Sequence, residues 1–94
     1  MKAFLVAYDI TEDSLRDKVS RRLLRDGCRV QESVFEIFVK TDAAFDAIVR
    51  DLRALMANTS GGQIRWYGLN RDGLARSGAL GIAAPSMPAA LVVR

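Results

Sequence analysis

Two short stretches hold the residues of this chain that could do chemistry. Tyr8 and Asp9 close an apolar opening run over residues 3–8, and after one basic segment the block Gly27-Cys28-Arg29-Val30-Gln31-Glu32-Ser33-Val34-Phe35-Glu36 brings a further arginine. A lone carboxylate beside concentrated arginine suits a phosphate backbone. A divalent cation can bridge carboxylate and phosphate oxygens while guanidinium forks hold the neighbouring ones. A polynucleotide is the first partner these residues suggest.

The distribution of charge supports that expectation. The chain of 94 residues carries a net charge of only +3. Residues 14–29, however, hold six of the fourteen bases (Arg16, Lys18, Arg21, Arg22, Arg25 and Arg29) against Asp17 and Asp26. This local field of +4, with −1 left for everything else, can steer an anionic ligand where net charge alone would not. The absence of histidine excludes imidazole general-base catalysis and every histidine-containing metal site. One cysteine, Cys28, cannot form an internal disulfide or a thiolate zinc site, and it reads as a small residue, buried or half-buried, at a strand start. The opening apolar run is too short for a signal peptide or a spanning helix, so a soluble, cytoplasmic protein with no membrane partner is expected.

These residues must be positioned by a single small domain. Residues 3–8 are continuously apolar, as in a central strand covered on both faces. Thr11, Asp13 and Ser14 are cap candidates for a helix whose apolar stripe is Leu15, Val19 and Leu23, with Gly27 as its stop. On that helix Lys18, Arg21, Arg22 and Arg25 gather on one flank. Residues 29–39 read as a second strand with a bulge near Ser33-Val34-Phe35.

Thr41 or Asp42 then caps an amphipathic helix with Phe45, Ile48, Val49, Leu52, Leu55 and Met56 on its buried stripe. Residues 63–69 read as a third, central strand, Asn70-Arg71-Asp72-Gly73 as a turn, and residues 75–80 as a weaker fourth strand. The order is taken as α+β, a ferredoxin-like βαββαβ domain over residues 1–81 with both helices on one face of an antiparallel sheet. Its open face calls for a homodimer. A tail over residues 82–94 carries a short apolar segment, Ala89-Ala90-Leu91-Val92-Val93, expected to be an additional strand crossing to the partner protomer.

Taken in order, Val6-Ala7-Tyr8-Asp9-Ile10, Leu15-Arg16-Asp17-Lys18-Val19, the block from Gly27 to Glu36, Ile64-Arg65-Trp66-Tyr67-Gly68-Leu69 and Gly81 closely resemble the CRISPR-associated protein 2 family over nearly the whole chain. The resemblance implies a ferredoxin-like homodimer whose open sheet faces meet. It also implies two capacities. One is the central, non-catalytic subunit that helps CRISPR-associated protein 1, the integrase, insert spacers into an array. The other is a metal-dependent endonuclease on RNA or DNA; toxin-like ribonucleases of similar fold form a third class. By position, the family's metal-linked aspartate falls on Asp9, and Tyr8, Arg16, Arg29 and Phe35 match positions tied to nuclease activity. Lys18 stands where some relatives have arginine; it keeps the charge and loses the bidentate fork.

One carboxylate alone is a poor Mg²⁺ site. Two copies of Asp9 near a dimer axis could share one ion, with Arg16 and Arg29 on the scissile phosphate. Asp9 could equally cap the first helix or pair with Arg16. The expected reading is a dimeric subunit that binds double-stranded DNA through Arg16, Lys18, Arg21, Arg22 and Arg25, with RNA as the alternative polymer. Trp66 and Tyr67 are expected in the core or an interface, with base stacking as the other option.

Overall fold

In a computed structural model, which describes residues 1–59 and 61–81, the chain runs β1 (Lys2–Asp9), α1 (Asp13–Leu24), β2 (Gly27–Gln31), β3 (Val34–Val39), α2 (Asp42–Met56), β4 (Gln63–Leu69) and α3 (Arg71–Ala75). The strands form one sheet in the order β2-β3-β1-β4, with every pair antiparallel. This is the expected βαββαβ arrangement with a short third helix appended.

The strand assignments differ from expectation in three places. The single bulged strand over 29–39 is a hairpin: β2 and β3 pair antiparallel about Glu32 and Ser33, and the register shifts between Arg29 and Gln31. The broken rhythm at Ser33 is thus a reversal of the chain, with the irregularity lying on β2. The expected third strand is the fourth, and it lies at an edge of the sheet, paired to β1 alone among the described strands. Residues 75–80 form no strand. Asn70 accepts a hydrogen bond from the Gly73 amide at 2.7 Å and so caps α3, which turns the supposed loop into a helix start. The apolar segment 89–93 and the tail expected over 82–94 lie outside the described residues.

Strand periodicity sorts the sheet residues between two faces. Facing pairs Phe4–Ile37 and Val6–Phe35, with Tyr8, point toward α1 and α2 and join Leu15, Val19, Leu23, Phe45, Ile48 and Leu52 in one buried cluster. Phe4 stacks on Phe45 with ring centroids 3.6 Å apart. Each such large side chain, once fully buried, contributes about 1.5–3 kcal/mol, and this cluster holds both helices on the sheet. The intervening residues Ala3, Leu5 and Ala7 of β1 face the other way, opposite Phe38, Glu36 and Val34 of β3 and Leu69, Tyr67 and Arg65 of β4.

The helix ends also depart from expectation. At α1 the cap residue is Glu12, whose side chain makes no cap hydrogen bond; it accepts instead from the Ser14 hydroxyl at 3.0 Å. Thr41 caps α2, its Oγ1 accepting from the Ala44 amide at 3.1 Å. Gly27 does not end α1 in a left-handed conformation, for its φ is not positive. It opens β2, where a Cβ would stand 2.1 Å from the Glu36 carbonyl oxygen, so close strand approach is what requires glycine there.

Candidate functional site

Tyr8 and Asp9 are consecutive on β1 and therefore point to opposite faces of the sheet. Tyr8 is buried on the helix side, its ring stacked against Phe35 at 6.0 Å and its hydroxyl donating to the Glu32 carbonyl at 3.4 Å. Asp9 is exposed and lies opposite Gln63 of β4. The sequence places the two side by side; the pleat of the strand separates them.

The helix side of β1 carries a polar cleft of about 240 Å³ lined by Tyr8, Asp13, Arg16, Asp17, Ser20, Arg29 and Glu32. Three of the expected site residues, Tyr8, Arg16 and Arg29, are brought together here. Arg16 is firmly placed: Nη1 donates to the carbonyls of Ile10 at 3.2 Å and Thr11 at 3.4 Å, and Nη2 pairs with Asp13. The pairing of Arg16 with Asp9 that the sequence allowed does not occur. Arg29 sits with its guanidinium carbon 5.1 Å from the centroid of the Phe35 ring and has no carboxylate partner among the described residues. Phe35 itself is wholly inaccessible, so its part is to support Arg29 and Tyr8 from beneath rather than to touch a ligand.

Asp9 lines a separate depression with Thr11, Gly62 and Gln63. Gly62 has φ +96°, and a Cβ there would come within 3.1 Å of the Asp9 carbonyl oxygen, so a glycine turn crowds the end of β1. The Asp9 carboxylate makes no ion pair or side-chain hydrogen bond with the described residues, whereas the nearby acids are engaged: Asp13 with Arg16, and Glu12 with Ser14. No group of three or more metal-ligating side chains exists among the described residues. One chain therefore supplies a single carboxylate, which fits Mg²⁺ only as half of a site completed from outside the chain. Asp9 does lie on the sheet face opposite α1 and α2.

The basic flank stays together but is not uniformly available. Lys18, Arg21, Arg22 and Arg25 line a groove of about 530 Å³ between α1 and α2, whose other wall is Asp51, Ala54 and Leu55. Arg22 donates through Nε to Asp51 at 2.7 Å and through Nη1 to Asp26 at 2.8 Å, and only 11% of its side chain is accessible. Burial opposes its charge, yet the hydrogen bonds to Asp26 and Asp51 outweigh that and raise its pKa. In return the hydrogen bond from Arg22, aided by the charges of Arg22, Arg50 and Arg25, holds the Asp51 carboxyl below its ordinary range. Arg22 is a strut between the helices. Arg21 pairs with Asp17, while Lys18 and Arg25 have no carboxylate partner among the described residues. Sequence reasoning missed Asp51; the signal was its position on the helical flank facing α1, legible only once the two helices are known to pack.

Trp66 points toward the helices and meets Phe45 edge-on at 6.3 Å, although it remains 43% accessible at the sheet edge. Tyr67, 53% accessible, faces the uncovered side. No helix among the described residues is long and apolar enough to cross a membrane.

Comparison with known proteins bears directly on this arrangement. A curated relative, the CRISPR-associated endoribonuclease Cas2 4 of Rhodospirillum rubrum, is 41% identical over 56 residues, which cover 60% of this chain and 44% of the relative; the match thus spans less than half of that protein's length. Among solved structures, a chain of a partial Cas6-RT-Cas1–Cas2 complex is 35% identical with a TM-score of 0.74, covering 85% of this chain and 91% of its own. Streptococcus pyogenes Cas2 is 31% identical with a TM-score of 0.71 over 84% of this chain and 99% of its own. A hypothetical protein of Thermus thermophilus aligns at 29% identity with a TM-score of 0.75 over 90% and 98% of the two chains. The family model for CRISPR associated protein Cas2 matches residues 1–76, more than three quarters of the sequence and all of the sheet, and this chain belongs to that family.

Proposed function

We propose that this protein is the dimeric, duplex-DNA-binding subunit of a CRISPR spacer-acquisition complex, working beside a Cas1 integrase. The observation that carries this reading is the division of labour across β1. Arg16 and Arg29 line one cleft, Asp9 faces the other side of the sheet, and a phosphate held by the two arginines is not presented to the carboxylate of the same chain. Phosphate tracking needs no such convergence. The exposed cations Lys18, Arg21 and Arg25, repeated by a twofold axis, suit sequence-independent contacts to a duplex backbone. The relative found in a Cas1–Cas2 assembly supports the choice of partner.

One feature favours a second function, a metal-dependent endonuclease. Asp9 has no ion-pair partner among the described residues and lies on the face that a second copy would cover, so two copies could hold one Mg²⁺ between them. Such an ion would supply a Lewis acid and an activated water. The chain's own residues would keep both carboxylates unpaired and hold the polymer through Arg16 and Arg29. The endoribonuclease name of the Rhodospirillum relative accords with this second capacity.

Purified integrase and either wild type or Asp9→Asn, assayed for spacer insertion and for metal-dependent cleavage, separate the two. Insertion is expected to persist in Asp9→Asn while any cleavage falls by orders of magnitude. Loss of insertion with dimer, integrase binding and DNA binding intact would overturn the scaffold reading. Replacing Lys18 and Arg25 by alanine is expected to weaken duplex binding equally for unrelated sequences and to lower the magnitude of the salt slope by about 0.9 per lost contact. An unchanged slope would place the DNA elsewhere.

A further inference from the structure

On the uncovered face of the sheet one cross-strand row runs Cys28, Glu36, Leu5, Tyr67, from β2 through β3 and β1 to β4. The rows beside it are largely apolar: Phe38, Ala3 and Leu69 on one side, Val34, Ala7 and Arg65 on the other. Glu36 is thus an acid set in an apolar face. Its Oε1 is buried and finds no hydrogen-bond partner among the described residues. From β2 it faces Cys28, and from β1 it faces Leu5; the cation of this face, Arg65, lies across β1 in the neighbouring row and donates to Gln63 at 2.9 Å. Among the described residues no cation is paired with Glu36.

We propose that Glu36 enters a sheet-to-sheet interface between two copies of this chain in its protonated form, so that assembly is coupled to proton uptake. This rests on the dimer reading above and adds its regulation. A carboxylate in water loses its hydration when a second apolar face closes over it, and with no opposing cation the neutral acid is the form that can be buried. Within a single protomer burial already pushes the Glu36 carboxyl above the ordinary glutamate range. Burial, and then the charge of Glu36, raise the Cys28 thiol as well, so the neighbour also favours a neutral pair. A second copy deepens the burial.

A group whose pKa rises on assembly favours assembly at pH below its value in the separate protomers. That advantage is lost as pH climbs through its value in the dimer. Each unit by which the dimer raises this pKa is worth roughly tenfold per protomer, hence about a hundredfold in the dimer dissociation constant when both copies contribute. The test is sedimentation equilibrium of the full chain from about pH 5 to pH 8 for Glu36 and Glu36→Gln proteins. Both should carry Asp9→Asn, because Asp9 is a second acid on this face.

The expected result is a dimer that weakens with rising pH when Glu36 is present, and a Glu36→Gln dimer that is flat with pH and as tight at pH 8 as its counterpart at pH 5. Equal pH profiles for the two proteins, or a Glu36 dimer that tightens as pH rises, would overturn the coupling while leaving the dimer standing. If both proteins stayed monomeric at every pH, the dimer reading itself would fall and the coupling with it.

Discussion

The two faces of the sheet are made from the same strands, yet the described residues finish only one of them. On the helix side Val6, Phe35 and Ile37 are wholly buried against α1 and α2. On the other side Leu5, Val34 and Phe38 are only partly covered, Tyr67 is exposed, and among them sits Glu36, whose Oε1 has no hydrogen-bond partner among the described residues. The first face determines whether the chain folds, and the second is the one that a second copy would cover in the dimer proposed above. Substitutions that separate folding from assembly test this contrast directly.

The largest effect is expected on the finished face. Phe35→Ala removes a fully buried ring and the platform under Arg29, and should cost about 3–5 kcal/mol in chemical denaturation. A loss below 1 kcal/mol would mean that this face is not the core. Gly27→Ala comes next: its methyl would overlap the Glu36 carbonyl, so β2 must move away from β3 at a cost of about 1–3 kcal/mol, read as a lowered denaturation midpoint. Leu5→Ala, on the unfinished face, should disturb the unfolding transition less than either. If two copies meet there, each lost side chain should remove on the order of 1 kcal/mol of interface burial, which raises the dimer dissociation constant roughly tenfold or more. An unaltered constant would detach Leu5 from any interface.

The smallest effect is expected outside both faces, at the strut between the helices. Arg22→Met removes the donor to Asp26 and Asp51, and the Asp51 carboxyl should rise toward its ordinary range in an NMR titration. A carboxyl whose pKa is depressed by folding stabilises the fold above its unfolded pKa and loses that contribution as pH falls through its folded value. The stability difference between wild type and Arg22→Met should therefore narrow in acid. A constant gap across that range would show that Arg22 acts through packing of its alkyl stem.

Much of this molecule was legible in its residues. The stripe Phe45, Ile48 and Leu52 announced α2, and its Thr41 cap was among the residues named for it. Leu15, Val19 and Leu23 announced α1, and the α+β, ferredoxin-like fold class was named correctly although two of its strands were misplaced. The strands were harder. A hairpin with a bulge and a single bulged strand give nearly the same local pattern over residues 29–39, and only pairing with β1 and β2 distinguishes them. A capped turn and a short helix likewise differ by hydrogen bonds that Asn70 and Gly73 complete in space.

For the candidate site, residue types excluded imidazole chemistry and, with six of the fourteen bases gathered over residues 14–29 against Asp17 and Asp26, pointed toward an anionic ligand such as a phosphate backbone. Tertiary structure decided which side chains meet. The pleat sends Tyr8 and Asp9 to opposite faces, and α1 carries Arg16 to the Tyr8 side. Helix packing brings Asp51 across 29 residues of chain to engage Arg22. Composition and periodicity act within a few residues of one another and are written along the chain. Convergence, pairing and the loss of hydration at Glu36 depend on which distant segments pack together, which local sequence does not encode residue by residue.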